Sequence, residues 1–271
     1  MNTLTYWQQK IVLVTGGSSG LGRILAEAFA EAGAKVAIVG LEPTDVERVT
    51  SEIAEQYRAE TIPLVADITK QADVERIVET AITRFGKLDV LVNSAGRSMR
   101  GKLMDTTPEQ FQSLFDLNVL GTIRCTRECV PHLLKEHGHV INIGSLASKS
   151  ASRWTGAYPV SKHAVAAFSQ QLRLELGPEG LHVLLVCPGP IQRDDPRLYQ
   201  LEGVGGIPQA ALAPGAGVRV RKTDPKWLAK QILTCCEKRK PELVVPWKAR
   251  ILFAVSQLFP SFGDWLVLKN T

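Results

Sequence analysis

The sequence predicts an α/β protein in which a doubly wound parallel sheet of about seven strands carries helices on both faces. Short β-branched runs alternate with longer amphipathic stretches along the whole chain, and the short runs are apolar at nearly every position. Strict alternation of this kind implies parallel strands joined by right-handed crossovers. Nearly continuous apolar content indicates strands that are covered on both faces. The 271 residues suffice for one large domain or two small ones.

Each element can be assigned in chain order from these two patterns. The predicted strands are KIVLVT (10–15), KVAIVG (35–40), TIPLVA (61–66), LDVLVN (88–93), HVINIG (139–144), HVLLVC (182–187) and ELVVP (242–246). The predicted helices between them are 21–33, 44–57, 70–85, 108–136, 155–177 and 225–238. Ligands of such sheets bind beyond the carboxyl ends of the strands, so we expect the chemically capable residues directly after strands.

Charge and cysteine usage exclude several classes of protein. The net charge of +5 is mild and comes without a basic block, which argues against nucleic-acid binding. The five cysteines form no C-x-x-C pair and lie mostly in apolar patterns, as expected of reduced thiols in a cytoplasmic protein, and no metal site is predicted. The first ten residues lack an apolar core of signal-peptide length, and no apolar run reaches the ~18 residues of a membrane span.

A glycine-rich turn follows the first predicted strand and opens the first predicted helix. The stretch TGGSSGLG occupies residues 15–22. Gly16 allows a tight turn, while Gly20 and Gly22 let backbone and helix approach a pyrophosphate, which the helix N-terminus attracts through its free N–H groups and its dipole. Because this cluster lies between a strand and a helix, it indicates a nucleotide site rather than an ordinary turn.

The glycine turn and the motifs after it resemble the short-chain dehydrogenase/reductase family in type and order, over about residues 8 to 246. TGGSSGLG is similar to the family's TGxxxGxG, and NSAG (93–96) to its NNAG, with Ser94 in place of the second Asn. The remaining similar motifs are ADIT with Asp67, DLNVLG with Asn118, INIGS with Ser145, YPVSK with Tyr158 and Lys162, and PGP at 188–190. The resemblance implies a Rossmann-type fold and an NAD(P)-dependent oxidoreductase.

The resemblance also implies the residues of the site. The catalytic set is Asn118, Ser145, Tyr158 and Lys162. The cofactor-binding set comprises Gly16, Ser18, Ser19, Gly20, Leu21, Gly22, Gly40, Leu41, Asp67, Ile68, Asn93, Ala95, Gly96, Tyr158, Lys162, Pro188, Gly189 and Ile191. By resemblance, Asp67 holds the adenine ring, Asn118 positions a water in a proton relay, and Lys162 holds the hydroxyls of the nicotinamide ribose.

The chemistry of the Tyr-Lys pair also follows from the residue types. Tyr158 and Lys162 are four residues apart, so a helix places them on one face. Taken alone, the pair is also compatible with a tyrosine that packs on a lysine stem. A free phenol has a pKa near ~10, and a nearby ammonium lowers it towards the range in which proton transfer is efficient. Ser145 can hydrogen-bond the substrate oxygen, so Tyr158 is predicted to be the general acid/base.

The residues after the second predicted strand bear on the choice between NAD and NADP. Gly40 and Leu41 stand where the family places an Asp for NAD or an Arg for NADP, and neither is present. The absence of a repelling carboxylate at position 40 favours NADP(H) over NAD(H), although Glu42 weakens that argument. Arg193 replaces a residue that usually contacts the nicotinamide carboxamide, and it fits either a solvated loop or an anion contact.

Two regions depart from the α/β alternation. Residues 190–222 are rich in Gly, Pro and Ala and are predicted to be a substrate loop of the catalytic domain, 1–246. The tail, 247–271, carries an apolar and aromatic stripe beside Lys248 and Arg250. We expect it to pack on the core or in a homo-oligomer interface near the mouth of the substrate site, the alternative being an interfacial amphipathic helix.

The sequence therefore predicts an oxidoreductase that interconverts an alcohol and a ketone or aldehyde, with a small, fairly apolar substrate. Two rival interpretations stay open. One is a dinucleotide-binding regulatory protein without turnover, against which the four intact catalytic positions argue. The other is a membrane-peripheral enzyme that reduces lipid carbonyls, which differs in partner more than in chemistry.

Overall fold

The sheet has the predicted architecture. A computed structural model of the chain describes residues 6–192, 206–212 and 221–270. In it, seven parallel strands form one sheet in the order β3-β2-β1-β4-β5-β6-β7. The strands are β1 (Ile11–Thr15), β2 (Lys35–Gly40), β3 (Thr61–Val65), β4 (Val90–Asn93), β5 (His139–Ile143), β6 (His182–Pro188) and β7 (Glu242–Val245). The predicted doubly wound α/β fold is confirmed.

Helices cover both faces of the sheet. They are α1 (Gly20–Glu31), α2 (Pro43–Tyr57), α3 (Gln71–Phe85), α4 (Pro108–Phe115), α5 (Gly121–Lys135), α6 (Tyr158–Leu176), α7 (Pro225–Glu237), α8 (Ala249–Leu258) and α9 (Pro260–Asn270). Apolar side chains of α1, α2 and α7 form the core on one face, and those of α3, α5 and α6 pack on the other. The central strands β1, β4 and β6 are fully buried between these layers, which explains their continuous apolar sequence, whereas the edge strands β3 and β7 are partly exposed.

The largest difference from the predicted elements lies in the segment 108–136. The pattern predicts one continuous helix there, whereas a π-helical turn at Asp116–Leu120 separates α4 from α5. Single π turns inside α-helices occur frequently at functional sites. The buried Asn118 lies in the middle of this turn. The predicted helix 155–177 also starts later, at Tyr158, which is therefore in the first turn of α6.

The tail forms two short helices, α8 and α9, with Pro260 at the start of the second. α8 and α9 pack against each other, and α8 also contacts β7. Within the described ranges, no helix combines the length and the apolar content that crossing a bilayer requires. Most of the predicted substrate loop, 190–222, and Arg193 with it, lies outside the described residues.

Candidate active site

One large pocket lies beyond the carboxyl ends of the strands. Its volume is about 930 Å³, the size class of small-molecule and cofactor sites. Two of the predicted site residues, Asn93 and Asn118, lie behind its wall. The other predicted residues line it: Gly16, Ser18, Ser19, Gly20, Leu21, Gly22, Gly40, Leu41, Asp67, Ile68, Ala95, Gly96, Ser145, Tyr158, Lys162, Pro188, Gly189 and Ile191.

The turn between β1 and α1 is shaped for an anionic group. Gly16 has a φ of +65°, and a Cβ there would come within 2.8 Å of the Ala95 Cα, so only glycine fits. Gly20, with a φ of +55°, has open space on the side where a Cβ would lie. Ser19 at the N-cap makes no side-chain capping bond, and the first turn of α1 has no acidic residue. The first amides of α1 are therefore free of a side-chain cap, and the turn fits a dinucleotide pyrophosphate.

Thr15 connects this turn to the neighbouring one, a role that the sequence analysis missed. Its hydroxyl donates to the Val92 carbonyl at 3.3 Å and accepts from the backbone amides of Ser94 and Ala95 at 3.2 and 3.3 Å. The available signal was a hydroxyl side chain at the end of the apolar run KIVLVT. Thr15 thus fixes the turn after β4 relative to the glycine turn after β1.

Asn118 holds the same turn from the other side. Its Oδ1 accepts from the Arg97 amide at 2.9 Å, while its Nδ2 donates to the Arg97 carbonyl at 2.9 Å and to Ser161 Oγ at 3.2 Å. Both amide hydrogens of this side chain are thereby used. In this arrangement, the Asn118 side chain connects the turn after β4 to helix α6 and does not face the pocket.

Asn93 is likewise a structural residue at the end of β4. Its Nδ2 donates to Thr126 Oγ1 at 3.0 Å and to Asn142 Oδ1 at 2.9 Å, and the side chain is buried. These bonds join β4 to α5 and β5. Asn93 therefore supports the wall on which Ala95 and Gly96 face the pocket.

Tyr158, Lys162 and Ser145 face the pocket from two adjacent elements. The Lys162 ammonium lies 5.8 Å from the centre of the Tyr158 ring and donates to the Ile143 carbonyl at 2.8 Å. Ser145 follows β5 and its Oγ accepts from the Ala147 amide at 3.1 Å, which orients the hydroxyl. Helix α6 begins at Tyr158 and contacts the short turn Leu146–Ser148 that follows Ser145, and all three residues line the pocket.

Burial lowers the pKa of Lys162 to about 8, and the negative charge of Cys187, when ionised, opposes that shift. Desolvation penalises a buried ammonium, which is why the shift is downward. The amine is still protonated at neutral pH, because a pKa of about 8 lies above it. A buried cation beside a phenol is an arrangement that favours the phenolate.

Comparison with known proteins identifies the family. A model of the short chain dehydrogenase family matches residues 10–195, more than half of the chain. The chain belongs to the short-chain dehydrogenase/reductase family. A dehydrogenase/reductase SDR family protein 7-like of Anopheles gambiae is 31% identical over 272 residues, which cover 96% of this chain and 83% of that relative. The L-fucose dehydrogenase of Mus musculus is 32% identical over 229 residues, with 80% and 82% covered.

A solved structure has the same fold. The chain superimposes on a short chain dehydrogenase/reductase of Burkholderia phymatum, crystallised in complex with NAD, with a TM-score of 0.80 and 24% identity. The match covers 93% of this chain and 95% of the other. Because the chain belongs to the short-chain dehydrogenase/reductase family, it is an oxidoreductase of a family that binds NAD(P).

The end of β2 forms part of the pocket beside the glycine turn. A Cβ at Gly40 would lie 2.6 Å from both Ser18 Oγ and Val46 Cγ2, so a side chain there would displace its neighbours. Leu41, Glu42 and Asp45 line the pocket next in sequence, and all three are exposed.

Asp67 lies at the same end of the pocket. Its Oδ1 accepts from the Thr69 amide at 3.0 Å and from the Thr69 hydroxyl at 2.7 Å. The carboxylate is thus held by its own turn, in a fixed orientation beside Ile68.

The opposite end of the pocket is mainly apolar and includes the tail. Leu146, Ala147 and Ile191 line it from the main domain. Four tail residues complete this wall: Leu252, Phe253, Leu266 and Val267. Two cations from the turn after β4, Arg97 and Arg100, also reach the pocket, the latter through a buried side chain whose Nε donates to the Ala211 carbonyl at 2.8 Å.

Proposed function

We propose that the protein catalyses the reversible transfer of hydride between an alcohol and a ketone or aldehyde, with Tyr158 as general acid/base. The observation that carries this proposal is the placement of Tyr158, Lys162 and Ser145 on one pocket whose far end opens on the uncapped N-terminus of α1. A dinucleotide whose pyrophosphate lies at that helix end has its reactive ring directed to the other half of the pocket.

Each residue has a definite role in reduction. Ser145 donates a hydrogen bond to the substrate carbonyl oxygen and stabilises the charge that develops there. Tyr158 donates its phenolic proton to that oxygen, and the Lys162 ammonium stabilises the phenolate that results. Asn118 positions the turn after β4 through its bonds to Arg97. The nicotinamide supplies the hydride when it is bound.

For the cofactor we propose NAD(H) rather than the NADP(H) that the sequence analysis favoured. Glu42 and Asp45 line the pocket beside Leu41, and a carboxylate there repels the 2′-phosphate of NADP. The cationic side chains among the described lining residues come from other segments: Arg97, Arg100, Lys162 and Lys248. Asp45 is paired with Arg48 at 2.7 Å, which leaves Glu42 as the stronger determinant.

For the substrate we propose a fairly apolar carbonyl compound or alcohol. The walls beyond Ser145 and Tyr158 consist largely of aliphatic and aromatic side chains, from the main domain and from helices α8 and α9. Burial of apolar surface against such walls is the main source of affinity for ligands of this type.

We also propose that the tail mediates self-association. Its apolar residues that do not line the pocket are largely exposed in the single chain: Trp247, Ile251, Leu258, Phe259, Phe262, Trp265 and Leu268. A patch of this kind on a monomer is a solubility liability, so a second copy is the expected cover.

Truncation after Pro246 tests the role of the tail. We expect a lower sedimentation mass, or a lower melting temperature, in detergent-free buffer. A truncated protein that keeps both properties but no longer pellets with anionic vesicles would instead assign the tail to a membrane surface.

A deuteride-transfer experiment tests the proposed reaction. The protein is mixed with 4-deuterated NADH and a panel of ketones and aldehydes, and deuterium in the alcohols is measured by mass spectrometry. We expect incorporation at the carbinol carbon for apolar members of the panel. Tight binding of NADH without transfer to any member would favour the non-catalytic dinucleotide-binding protein.

A further inference from the structure

A second cluster of polar side chains lies at the opposite edge of the sheet from the pocket. His139 and His182 are the first residues of β5 and β6 and are paired in register. Their Nδ1 atoms are 2.8 Å apart. Cys236, in the last turn of α7, completes the cluster, and the ligand atoms of the three side chains lie within 4.8 Å of one another. All three residues are buried.

The hydrogen bonds of the cluster determine where its protons lie. The Lys240 carbonyl, 2.8 Å from His182 Nε2, can only accept, so that nitrogen carries a hydrogen. A neutral His182 then accepts at Nδ1, and His139 Nδ1–H donates to it. His139 Nε2 in turn accepts from the Tyr6 hydroxyl at 2.9 Å. Both rings are buried, which disfavours the charged form, and the hydrogen bonds are those of two neutral imidazoles.

This arrangement matches what a metal ion requires of imidazole ligands. A metal-bound histidine usually donates its other ring N–H to a carbonyl or similar acceptor, which fixes the ring. His182 Nε2 already donates to the Lys240 carbonyl. The Tyr6 oxygen lies 2.9 Å from His139 Nε2 and can accept a hydrogen bond from it once that nitrogen carries the proton. The two Nδ1 atoms are 2.8 Å apart, and the ligand atoms of the two rings and Cys236 lie within 4.8 Å of one another. The acceptors that would hold the two rings of such a site are thus present.

We propose that His139 Nδ1, His182 Nδ1 and Cys236 Sγ bind one zinc ion, with a water as fourth ligand. Imidazole nitrogens and thiolate sulfur are both zinc ligands, and three protein ligands with one water form the open tetrahedral geometry of zinc. With Zn–N bonds of ~2.0–2.1 Å, the two nitrogens move from hydrogen-bond distance to about 3.3 Å apart, a small displacement of two rings. The ion takes the place of the proton that now lies between them.

The binding step is balanced and involves no redox change. The Cys236 thiol loses its proton to solvent as the Zn–S bond forms. The His139 proton moves from Nδ1 to Nε2, where it is donated to the Tyr6 oxygen, and His182 keeps its proton. One proton is therefore released for each zinc ion bound.

Refolding of the full chain, without a histidine tag, tests the site. The unfolded protein is refolded with equimolar Zn²⁺, with Co²⁺ or with EDTA, and passed over a gel-filtration column. We expect one metal ion per chain, a thiolate-to-cobalt charge-transfer band, and a higher melting temperature than with EDTA. Dehydrogenase activity should not depend on the metal, because the cluster lies at the other edge of the sheet.

The chain offers a matched control in the adjacent residue of the same helix. Cys235→Ala should keep the metal and the charge-transfer band, whereas Cys236→Ala should lose the band and weaken zinc binding by more than about tenfold. If Cys236→Ala fails to fold, the presence or absence of the thiolate-to-cobalt band in the unmodified chain tests whether a cysteine binds the metal. A chain refolded without bound metal, or a band that survives in Cys236→Ala, would overturn the proposal.

Discussion

At the carboxyl ends of the strands, Ser19 leaves the first amides of α1 without a side-chain cap, and the buried Lys162 ammonium has one hydrogen bond to the Ile143 carbonyl. At the amino ends, by contrast, the buried Asp89 accepts from Lys10, from Lys87 and from the Ile11 amide at 3.0, 3.1 and 2.9 Å. The glycine turn and Lys162 thus have capacity for a ligand, whereas Asp89 and its three donors satisfy one another. The difference predicts that substitutions at the two edges affect different measurements.

The largest expected effect belongs to Tyr158→Phe at the carboxyl edge. Loss of the proton donor should lower kcat by ~10²–10⁴, while the Kd of the cofactor and the melting temperature stay nearly unchanged. Turnover in single-substrate assays, with cofactor titration in parallel, measures both. The exposed Val160 in the same turn supplies the control, since Val160→Ala should keep full activity. A Tyr158→Phe variant as fast as the parent would exclude Tyr158 as the general acid.

At the amino edge, Asp89→Ala should act on stability alone. It removes the partner of a buried backbone amide and of two lysines, so we expect a loss of about 3 kcal/mol in the free energy of unfolding. Urea unfolding measures this loss, and the Kd of the cofactor should not change.

Glu136 offers the matched control for Asp89. It pairs with the same Lys87 at 3.2 Å but is partly exposed, so Glu136→Ala should cost less than about 1 kcal/mol. Equal effects of the two substitutions would mean that burial does not distinguish these carboxylates.

Lys162→Met should separate stability from function at the carboxyl edge. The folded pKa of about 8 lies below the unfolded value of 10.5, so the folded state disfavours the charged amine. This cost is present in full below pH 8 and disappears as pH rises towards 10.5. The variant avoids this cost but loses the hydrogen bond to the Ile143 carbonyl. The difference between the two contributions should make the apo variant more stable than the parent by about 2 kcal/mol at pH 7.

The measurement for Lys162→Met is urea unfolding of both proteins at pH 7 and pH 10, together with turnover. The stability difference should shrink at the higher pH, and activity should be lost at both. If the variant is instead less stable than the parent at pH 7, the contacts of the Lys162 ammonium stabilise the folded state by more than burial of its charge costs.

The sequence was sufficient for the fold because its local patterns agree with one another. All seven strands and the positions of the glycine turn and Ser145 follow from apolar runs and their ends, whereas Tyr158 was identified by its helical spacing to Lys162 and by the family resemblance. The π turn around Asn118 could not be predicted, because it depends on hydrogen bonds to Arg97 and Ser161, which are distant in sequence. A periodic pattern carries no information on such tertiary bonds.

The histidine cluster was missed for a related reason. His139 and His182 are 43 residues apart, and each stands at the start of an apolar strand, where it resembles an isolated polar residue. They meet only because β5 and β6 are adjacent and in register. Spacing motifs identify metal ligands when one loop or helix carries them, which is not the case for these two histidines.

The smallest expected effect concerns cofactor choice at the rim of the pocket. Leu41→Arg should lower the Kd of NADP(H) relative to that of NAD(H) about fivefold, since a guanidinium can pair with the 2′-phosphate but remains exposed to solvent. Glu42→Gln should change the ratio in the same direction by removing the repelling charge, and Glu47→Gln, further along α2, serves as the charge-matched control. Fluorescence titration of both cofactors gives the ratio for each variant. If the ratio stays the same in Leu41→Arg and Glu42→Gln, neither side chain reaches the adenosine ribose, and the preference for NAD(H) must have another origin. If only Glu42→Gln changes it, the carboxylate alone selects the cofactor, and the carboxyl edge discriminates by repulsion rather than by a positive contact.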